Sequence, residues 1–402
     1  MNARIAILRL SLALGLVSAL LSSGASAQET GPHLLLSPRR LHRLKLDRQR
    51  QTDRWMNFEQ RVKSAPDSPE RGFELALYYA VTQEERAGRD AIAWAMAHSS
   101  ELEQRLLVAD WCTPLLSATD RETLASTGRP TNVVPDPASA ARNLLFESVV
   151  RGQDPSSDFK KAWDEAVRSL KNDPTVWQPE QLYSLFEAID AMQTNFRDDL
   201  RREDSDLFSQ LPAIFLLSLS PKELEQPGWK TRVAGLMMVN VDPNLQASSF
   251  VQGWAMEDPK QQKDGPGVGY EFLWANPYLP GLGYYNMEPW VYLRDSGFLI
   301  ARANWDASAC AVKQTPSKFE SQRCPANVKS VPTTFAKLTL LPVTEPCIQV
   351  KSNPNRTTIL SGLKPGSEVA WKIDGNKRTG TADTSGLLRL PFDAVGRICR
   401  SQ

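Results

Sequence analysis

The spacing of apolar residues changes once along this chain, near Pro289, and this change constrains the fold more than any other feature. From Ser37 to about Asp258, apolar residues recur at the spacing of amphipathic helices, most clearly over Leu182–Phe196. After Pro289, the segments Phe298–Arg302 and Thr334–Leu341 alternate as strands do. The sequence therefore predicts a mainly α chain with a β C-terminal part.

The predicted helices are joined by short polar turns, so consecutive helices are expected to form antiparallel hairpins. No repeat of fixed period is present, which argues against tetratricopeptide-type arrays. We expect an α/α toroid, an incomplete barrel of helix hairpins around a central groove, over residues 28–290.

Residues 291–402 are predicted to form strands separated by turns. The turn sequences Lys364-Pro365-Gly366, Asp374-Gly375 and Ser385-Gly386 recur about every ten residues. This spacing predicts a small antiparallel β-sandwich, immunoglobulin- or fibronectin-like, at about residues 333–402.

The first 27 residues have the composition of a secretory signal peptide. Arg4 and Arg9 precede an apolar run, and Ala25-Ser26-Ala27 fits the rule for cleavage after Ala27. No cysteine follows the run, so a lipoprotein anchor is not predicted, and no other segment is apolar enough to span a bilayer. We expect a periplasmic or secreted protein without a stable membrane anchor.

The charge balance argues against nucleic acid as a partner. The chain has 47 basic and 46 acidic residues, and removal of the signal peptide leaves 45 against 46, a net charge of −1. A protein that binds phosphate backbones needs a clustered basic excess. Arg39–Lys63 is locally basic, and a solvated helix face is favoured there over a polyanion-binding face.

Export gives the five cysteines structural meaning. Cys310 and Cys324 flank a polar loop, and Cys347 and Cys399 bracket the last region, so we predict these two disulfides. Cys112, beside Trp111, is predicted to be a buried thiol. No cysteine or histidine pair has metal-ligand spacing, and the sequence predicts no metal and no cofactor.

Gly265–Asp306 concentrates aromatic residues with glycine and proline. No regular period persists over Gly265–Pro289, so this part is predicted to be an ordered loop that presents its side chains, as the binding surface for a sugar polymer does. The candidate substrate-binding residues are Trp274, Asn276, Tyr284, Tyr285 and Trp290. The alternative is that these tyrosines fasten the loop to the domain and that Trp305 fills the junction with the β region.

Three segments together resemble the heparinase II/III-like polysaccharide lyases. They are Leu34–Leu41 (LLLSPRRL), Leu75–Thr82 (LALYYAVT) and Ser296–Asp306 (SGFLIARANWD). The resemblance covers Leu34 to about Asp306 and implies an α/α toroid followed by an antiparallel β-sandwich region. It also implies an acidic, uronate-containing glycan as the partner, either polysaccharide or oligosaccharide.

The lyase chemistry that the resemblance implies is β-elimination. The uronate carboxylate must be neutralised so that negative charge can develop, and a tyrosine then takes the adjacent proton. By resemblance, Asn195 corresponds to the neutralising asparagine and Tyr270 to the tyrosine of the glycine-rich loop. Arg302 on a predicted strand either neutralises the carboxylate as well or bridges the two domains.

The chain departs from the family pattern in several places. Phe196 follows Asn195 where the family often has histidine, and all three histidines lie in the first quarter of the chain. The loop around Tyr270 lacks the usual acidic residue, and the β region is short. Two functions follow: a lyase that acts on an acidic glycan, or a non-catalytic glycan-binding or envelope scaffold protein with a degenerate lyase fold.

Other interpretations of the same residues stay open. Asn195 is placed to cap its helix or turn. Glu187 and Asp190 share one helical face, which suits either the carboxylate pair of an α/α-barrel glycosidase or, more simply, a solvated face. A helical scaffold for protein partners requires no sugar site.

Overall fold

A computed structural model describes residues 34–126, 136–225, 230–242, 244–257, 267–335, 337–351, 356–373, 376–391 and 393–400. The predicted signal peptide and the predicted turn Asp374-Gly375 lie outside these ranges. Within them, no helix combines the length and the apolar character needed to cross a membrane.

The described chain begins with 14 α-helices. They are α1 (Pro38–Gln49), α2 (Asp53–Ser64), α3 (Arg71–Thr82), α4 (Glu85–Ala97), α5 (Leu102–Trp111), α6 (Ala118–Ser126), α7 (Pro137–Arg151), α8 (Ser157–Asn172), α9 (Pro179–Phe196), α10 (Ser205–Ser218), α11 (Pro221–Glu225), α12 (Lys230–Asn240), α13 (Gln246–Met256) and α14 (Val268–Trp274). Their apolar faces share one core. The prediction of a helical first part is confirmed.

Six of these helices contact one another in a closed series. α3 packs against α5, α5 against α7, α7 against α9, α9 against α12, α12 against α14, and α14 against α3. Other helices pair with members of the series, as α4 does with α3 and α8 with α7.

The prediction of a loop throughout Gly265–Pro289 is wrong over Val268–Trp274, which is helix α14. Six of its seven residues are buried, including Tyr270 and Trp274. A helix that is apolar on nearly all sides has no amphipathic period, so the periodicity of the sequence did not reveal it. Gly265 itself lies outside the described residues.

Twelve strands follow in the described residues: β1 (Trp290–Leu293), β2 (Phe298–Arg302), β3 (Ala311–Gln314), β4 (Phe319–Gln322), β5 (Thr333–Phe335), β6 (Leu338–Pro342), β7 (Cys347–Val350), β8 (Thr357–Ser361), β9 (Glu368–Ile373), β10 (Asn376–Thr381), β11 (Leu388–Arg389) and β12 (Gly396–Arg400). They form three four-stranded sheets with the orders β1-β2-β3-β4, β11-β8-β6-β5 and β10-β9-β12-β7. The predicted β C-terminal part is confirmed. The expectation of purely antiparallel pairing is wrong for β6 and β8, which run parallel because the intervening β7 belongs to another sheet.

The three sheets lie in successive layers beside the helices. β1 and β2 contact α10. Phe298 of β2 joins the helical core, whereas Leu299 faces the second sheet. In the second sheet, Ile359 packs toward the first sheet and Leu360 toward the third. The third sheet, β10-β9-β12-β7, is therefore the outermost layer.

Both predicted disulfides are present. Cys310 is bonded to Cys324 and Cys347 to Cys399, with S–S distances of 2.07 and 2.19 Å. The second bond joins residues that lie directly opposite each other on β7 and β12. Cys112 is a buried free thiol, as predicted, and burial raises its pKa to about 12.

We predict that Gly297→Ala destabilises the protein more than Gly366→Ala does. Both glycines have a φ near +70°, so alanine costs about 1 to 2 kcal/mol at either position. A Cβ at Gly297 would also lie 2.6 Å from the Ser385 hydroxyl, whereas nothing lies within 4 Å at Gly366. This overlap adds about 1 to 3 kcal/mol. Denaturant unfolding followed by tryptophan fluorescence measures the difference, and equal losses would contradict the contact between the first sheet and the Ser385 turn.

Candidate functional site

A cavity of about 580 Å³ opens between α1, α12, α13 and α14. Arginines from two helices form its cationic part: Arg39, Arg40 and Arg43 of α1 and Arg232 of α12. Much of the remaining wall is apolar and includes Met238, Val239, Met256, Pro277 and Leu279. Tyr270, Trp274 and Asn276 also line it, so the structure brings three of the predicted site residues to one cavity.

The sequence before α1 fixes the arginines in place. The Leu34 amide donates to Asp110 Oδ2 at 2.7 Å, and its carbonyl accepts from Trp111 Nε1 at 2.7 Å. Ser37 then caps the helix by accepting from the Arg40 amide at 3.3 Å, with proline at the next position. At about 3.6 residues per turn, positions i, i+1 and i+4 lie within about 100° of one another around the helix axis, and all three arginines of α1 line the cavity.

Two of the cavity arginines have carboxylate partners. Arg40 holds Asp190 of α9 with two bonds of 3.0 and 2.9 Å and stacks on the Trp274 ring at 4.4 Å. Arg232 pairs with Glu70 at 3.1 Å and lies over the Tyr270 ring at 4.3 Å. These contacts partly neutralise both guanidinium groups and fix the aromatic rings.

Arg43 differs from Arg40 and Arg232 because no carboxylate in the described residues forms an ion pair with it, and it differs from the exposed Arg39 because it is half-buried. It donates to the Leu273 carbonyl at 3.3 Å, and its buried Nε atom has no hydrogen-bond partner. The nearby carboxylates of Asp47 and Glu271 are both bonded to Arg54. Burial, followed by the charges of Arg54 and Arg40, lowers the pKa of Arg43 to about 10. The cavity therefore contains a guanidinium that an anion would stabilise.

The hydroxyl group of Tyr270 is already engaged. It donates to Glu70 Oε2 at 2.6 Å, and the ring stacks on Phe73 with 4.5 Å between centroids. Burial, reinforced by the charge of Glu70, raises the pKa of Tyr270 well above its ordinary value. A tyrosine acts as a base only where its pKa is lowered, so this environment opposes proton abstraction. Trp274 is 2 % exposed and donates to the Tyr183 hydroxyl at 2.6 Å.

A second polar cluster lies where three helices of the closed series, α5, α7 and α9, meet. Arg142 of α7 donates to Glu187 of α9 at 2.9 Å and also contacts Glu103 of α5. Glu187 is fully buried, and its Oε1 atom has no hydrogen-bond partner. Burial and then the charge of Glu103 raise the pKa of Glu187, because a single arginine faces two carboxylates. The solvated face expected for Glu187 and Asp190 is therefore wrong: both are buried, Asp190 in an ion pair with Arg40 and Glu187 as a hydrogen-bond acceptor of Arg142.

Asn195 and Arg302 lie outside the lining of this cavity. The Asn195 amide donates to the Ala191 carbonyl at 2.8 Å, about two turns beyond Glu187 on α9. Arg302 is buried at the junction of the helical and β parts, where it donates to the Leu219 carbonyl at 3.3 Å. The structure thus does not bring these two residues together with Tyr270, and their catalytic roles stay predictions.

The other predicted substrate contacts are also outside the cavity lining. Tyr284 packs edge-on against Trp305 and against Tyr285, with centroids 5.3 and 5.8 Å apart. Tyr285 is 62 % exposed. Trp290 begins β1, is half-buried and packs beside the core between the first two sheets.

The sequence interpretation missed the arginines that characterise the cavity. The basic run Arg39–Lys63 was recognised but assigned to a solvated face. That assignment is wrong for Arg40 and Arg54, which are largely buried and paired with carboxylates from other helices. The available signal was the position of Arg40 and Arg43 directly after a buried Leu34–Leu36 segment, since such a segment places the next helix against the core.

No model of a known protein family matches this chain, and a search of curated proteins likewise finds no match.

We predict that Glu187→Gln reduces the loss of stability with rising pH. A folded pKa above the ordinary carboxyl value of about 4.3 means that the folded state holds an extra proton. The free energy of unfolding then falls by about 1.4 kcal/mol for each pH unit between the unfolded and folded pKa values. Glutamine resembles the neutral, protonated carboxyl group and cannot ionise, so the variant lacks this pH-dependent contribution to the free energy of unfolding.

Chemical denaturation at a series of pH values measures this slope. Glu180→Gln, at an exposed position of the same helix, is the matched control. An unchanged slope in Glu187→Gln would show that Glu187 is already ionised beside Arg142.

Proposed function

We propose that this protein binds an acidic, uronate-containing glycan in the cavity beside α1 and does not cleave it. The observation that carries the proposal is Arg43, a half-buried guanidinium without a carboxylate partner that lies among other arginines. The charges of Asp47 and Glu271 offset only part of the lowering of its pKa because both carboxylates are bonded to Arg54, so an anionic ligand offers Arg43 the direct partner that it lacks among the described residues. The volume of about 580 Å³ falls in the range of about 300 to 1,000 Å³ that is usual for ligand sites.

A uronate suits both parts of the cavity wall. The planar fork of a guanidinium group matches the geometry of a carboxylate and binds it through two parallel hydrogen bonds. The apolar side chains of Met238, Val239 and Pro277 offer contact to the C–H face of a sugar ring. The charge pattern accordingly favours an acidic sugar over a neutral one.

We further propose that the scaffold is a divergent α/α toroid of the heparinase II/III-like kind over residues 28–290, with a β region at 291–402 that ends in a small sandwich. The closed series of six helix contacts supports this arrangement. Export through the N-terminal signal sequence belongs to the same proposal. The two disulfides support an oxidising location such as the periplasm or the cell exterior.

The environment of Tyr270 is the reason for proposing binding without β-elimination. Its hydroxyl is bonded to Glu70 and its pKa is raised, so it is poorly suited to remove a proton. Asn195 and Arg302, the predicted neutralising groups, lie elsewhere. A lyase mechanism would require a rearrangement that brings all three together.

We predict that Arg43→Gln weakens binding of short uronate oligosaccharides by about 30-fold or more. Removing one member of a close charge pair costs about 2 kcal/mol or more. Without ligand, the same change should raise the free energy of unfolding by about 0.5 to 2 kcal/mol, because it removes a charge with no ion-pair partner. Titration calorimetry with oligosaccharides from pectate, alginate and hyaluronan measures the first effect, and denaturant unfolding measures the second.

Arg50→Gln is the matched control for this experiment. Arg50 caps the C-terminus of the same helix, is exposed and does not line the cavity. The control should leave binding unchanged, and maltotriose, a neutral oligosaccharide, should bind neither protein. Unchanged uronate affinity in Arg43→Gln would overturn the assignment of the cavity.

A separate assay tests the absence of cleavage. The protein is incubated with pectate, alginate, hyaluronan and heparin, and the absorbance of the unsaturated product is followed. We expect no increase with any polymer. An increase that Tyr270→Phe abolishes would establish the lyase function instead.

A further inference from the structure

The exposed face of the outermost sheet, β10-β9-β12-β7, carries a row of positive charges. The inner face of this sheet is apolar and includes Val350, Trp371 and Ile398, which pack in the core between the second and third sheets. Since successive residues of a strand point to opposite faces, the neighbours of these core residues project outward.

Three cations from adjacent strands meet on that outer face. Lys377 of β10 lies directly opposite Lys372 of β9. On the next strand, Ile398 lies opposite Trp371, so extending the register by one residue sets Arg397 beside Lys372. All three side chains are exposed. We call Lys372, Lys377 and Arg397 the cationic row.

Like charges directly opposite each other destabilise a sheet, so this row has an energetic cost. Within the described residues, none of the three cations forms an ion pair. Arg378 of β10 forms an ion pair with Asp393 at 3.0 Å, but it does not belong to the row. Arg378 lies opposite the core residue Trp371, and directly opposite residues share a face of the sheet. On the same strand as Lys372, Glu368 is four residues away, or about 13 Å.

We propose that the cationic row binds an acidic polysaccharide and forms a second glycan site separate from the cavity. The choice of glycan rests on the proposed function, whereas the need for an anion rests on the row itself. The charges repeat at the strand spacing of about 4.8 Å, which is close to the length of one sugar unit. A polymer bound at both sites would gain affinity through its effective concentration.

The experiment uses the full-length protein with Lys372→Gln, Lys377→Gln and Arg397→Gln combined. Affinity electrophoresis in gels containing pectate or alginate measures polymer binding, and calorimetry with short uronate oligosaccharides measures the cavity. The triple variant should bind the polymers at least about tenfold more weakly and the short oligosaccharides unchanged. Arg43→Gln should instead weaken the binding of short oligosaccharides in calorimetry. Its migration in the polymer gels should still be retarded, and added salt should reduce this retardation.

A second triple variant controls for net charge. Arg86→Gln, Arg89→Gln and Arg168→Gln remove three exposed cations from the helical part. This control should leave polymer binding unchanged, and both triple variants should stay folded in thermal unfolding. The proposal is overturned if the row variant binds polymers as the wild type does, if the control weakens binding equally, or if the wild type ignores every acidic polymer. The proposal would also be overturned if the cationic row bound nucleic acid or anionic vesicles but no acidic polysaccharide.

Discussion

The bidentate ion pair between Arg40 and Asp190 is the interaction on which the cavity depends. It joins the first helix to α9 across 150 residues of sequence, and it holds the Arg40 guanidinium over the Trp274 ring, 4.4 Å from the ring centroid. A buried charge remains stable only when it is paired and hydrogen-bonded. Because Asp190 satisfies Arg40, the helix that carries Arg40 can lie against the core, and Arg43, one turn later, is brought into the same interior without a carboxylate partner of its own.

Arg40, Arg232 and Arg43 show how one cavity divides structural and binding roles among identical side chains. Asp190 and Glu70 neutralise the first two, whose guanidinium groups also cover aromatic rings. Arg43 has a carbonyl contact and a buried Nε without a partner. Natural proteins tolerate such local instability mainly at functional sites, where a ligand supplies the missing contact. This difference in partners distinguishes Arg43, which is proposed to bind the ligand, from Arg40 and Arg232, which have structural roles.

The sequence predicted the features that local pattern encodes. Helical periodicity predicted the first part and alternation the second. The cysteines predicted both disulfides, one pair because it flanks a polar loop and the other because it brackets the last region. Strand direction is not encoded by alternation, so the parallel pair β6–β8 was missed. The composition of the Gly265–Pro289 segment indicated Trp274 and Asn276, and the family resemblance indicated Tyr270. Neither indicated Arg43, because its environment depends on Arg54, Asp47 and Glu271 pairing with one another across the fold, which no short pattern reveals.

Glu70 sets the chemistry that the helical interior allows. Its carboxylate accepts from the Tyr270 hydroxyl through one oxygen and pairs with Arg232 through the other. Glu70 therefore partly neutralises Arg232, the cation that lowers the pKa of Tyr270. Its own negative charge raises this pKa. The same carboxylate fixes the Tyr270 ring beneath Arg232, where it forms a wall of the cavity. A tyrosine held in this way serves as a rigid aromatic surface, and Arg43 of α1 is left as the group proposed to recognise charge.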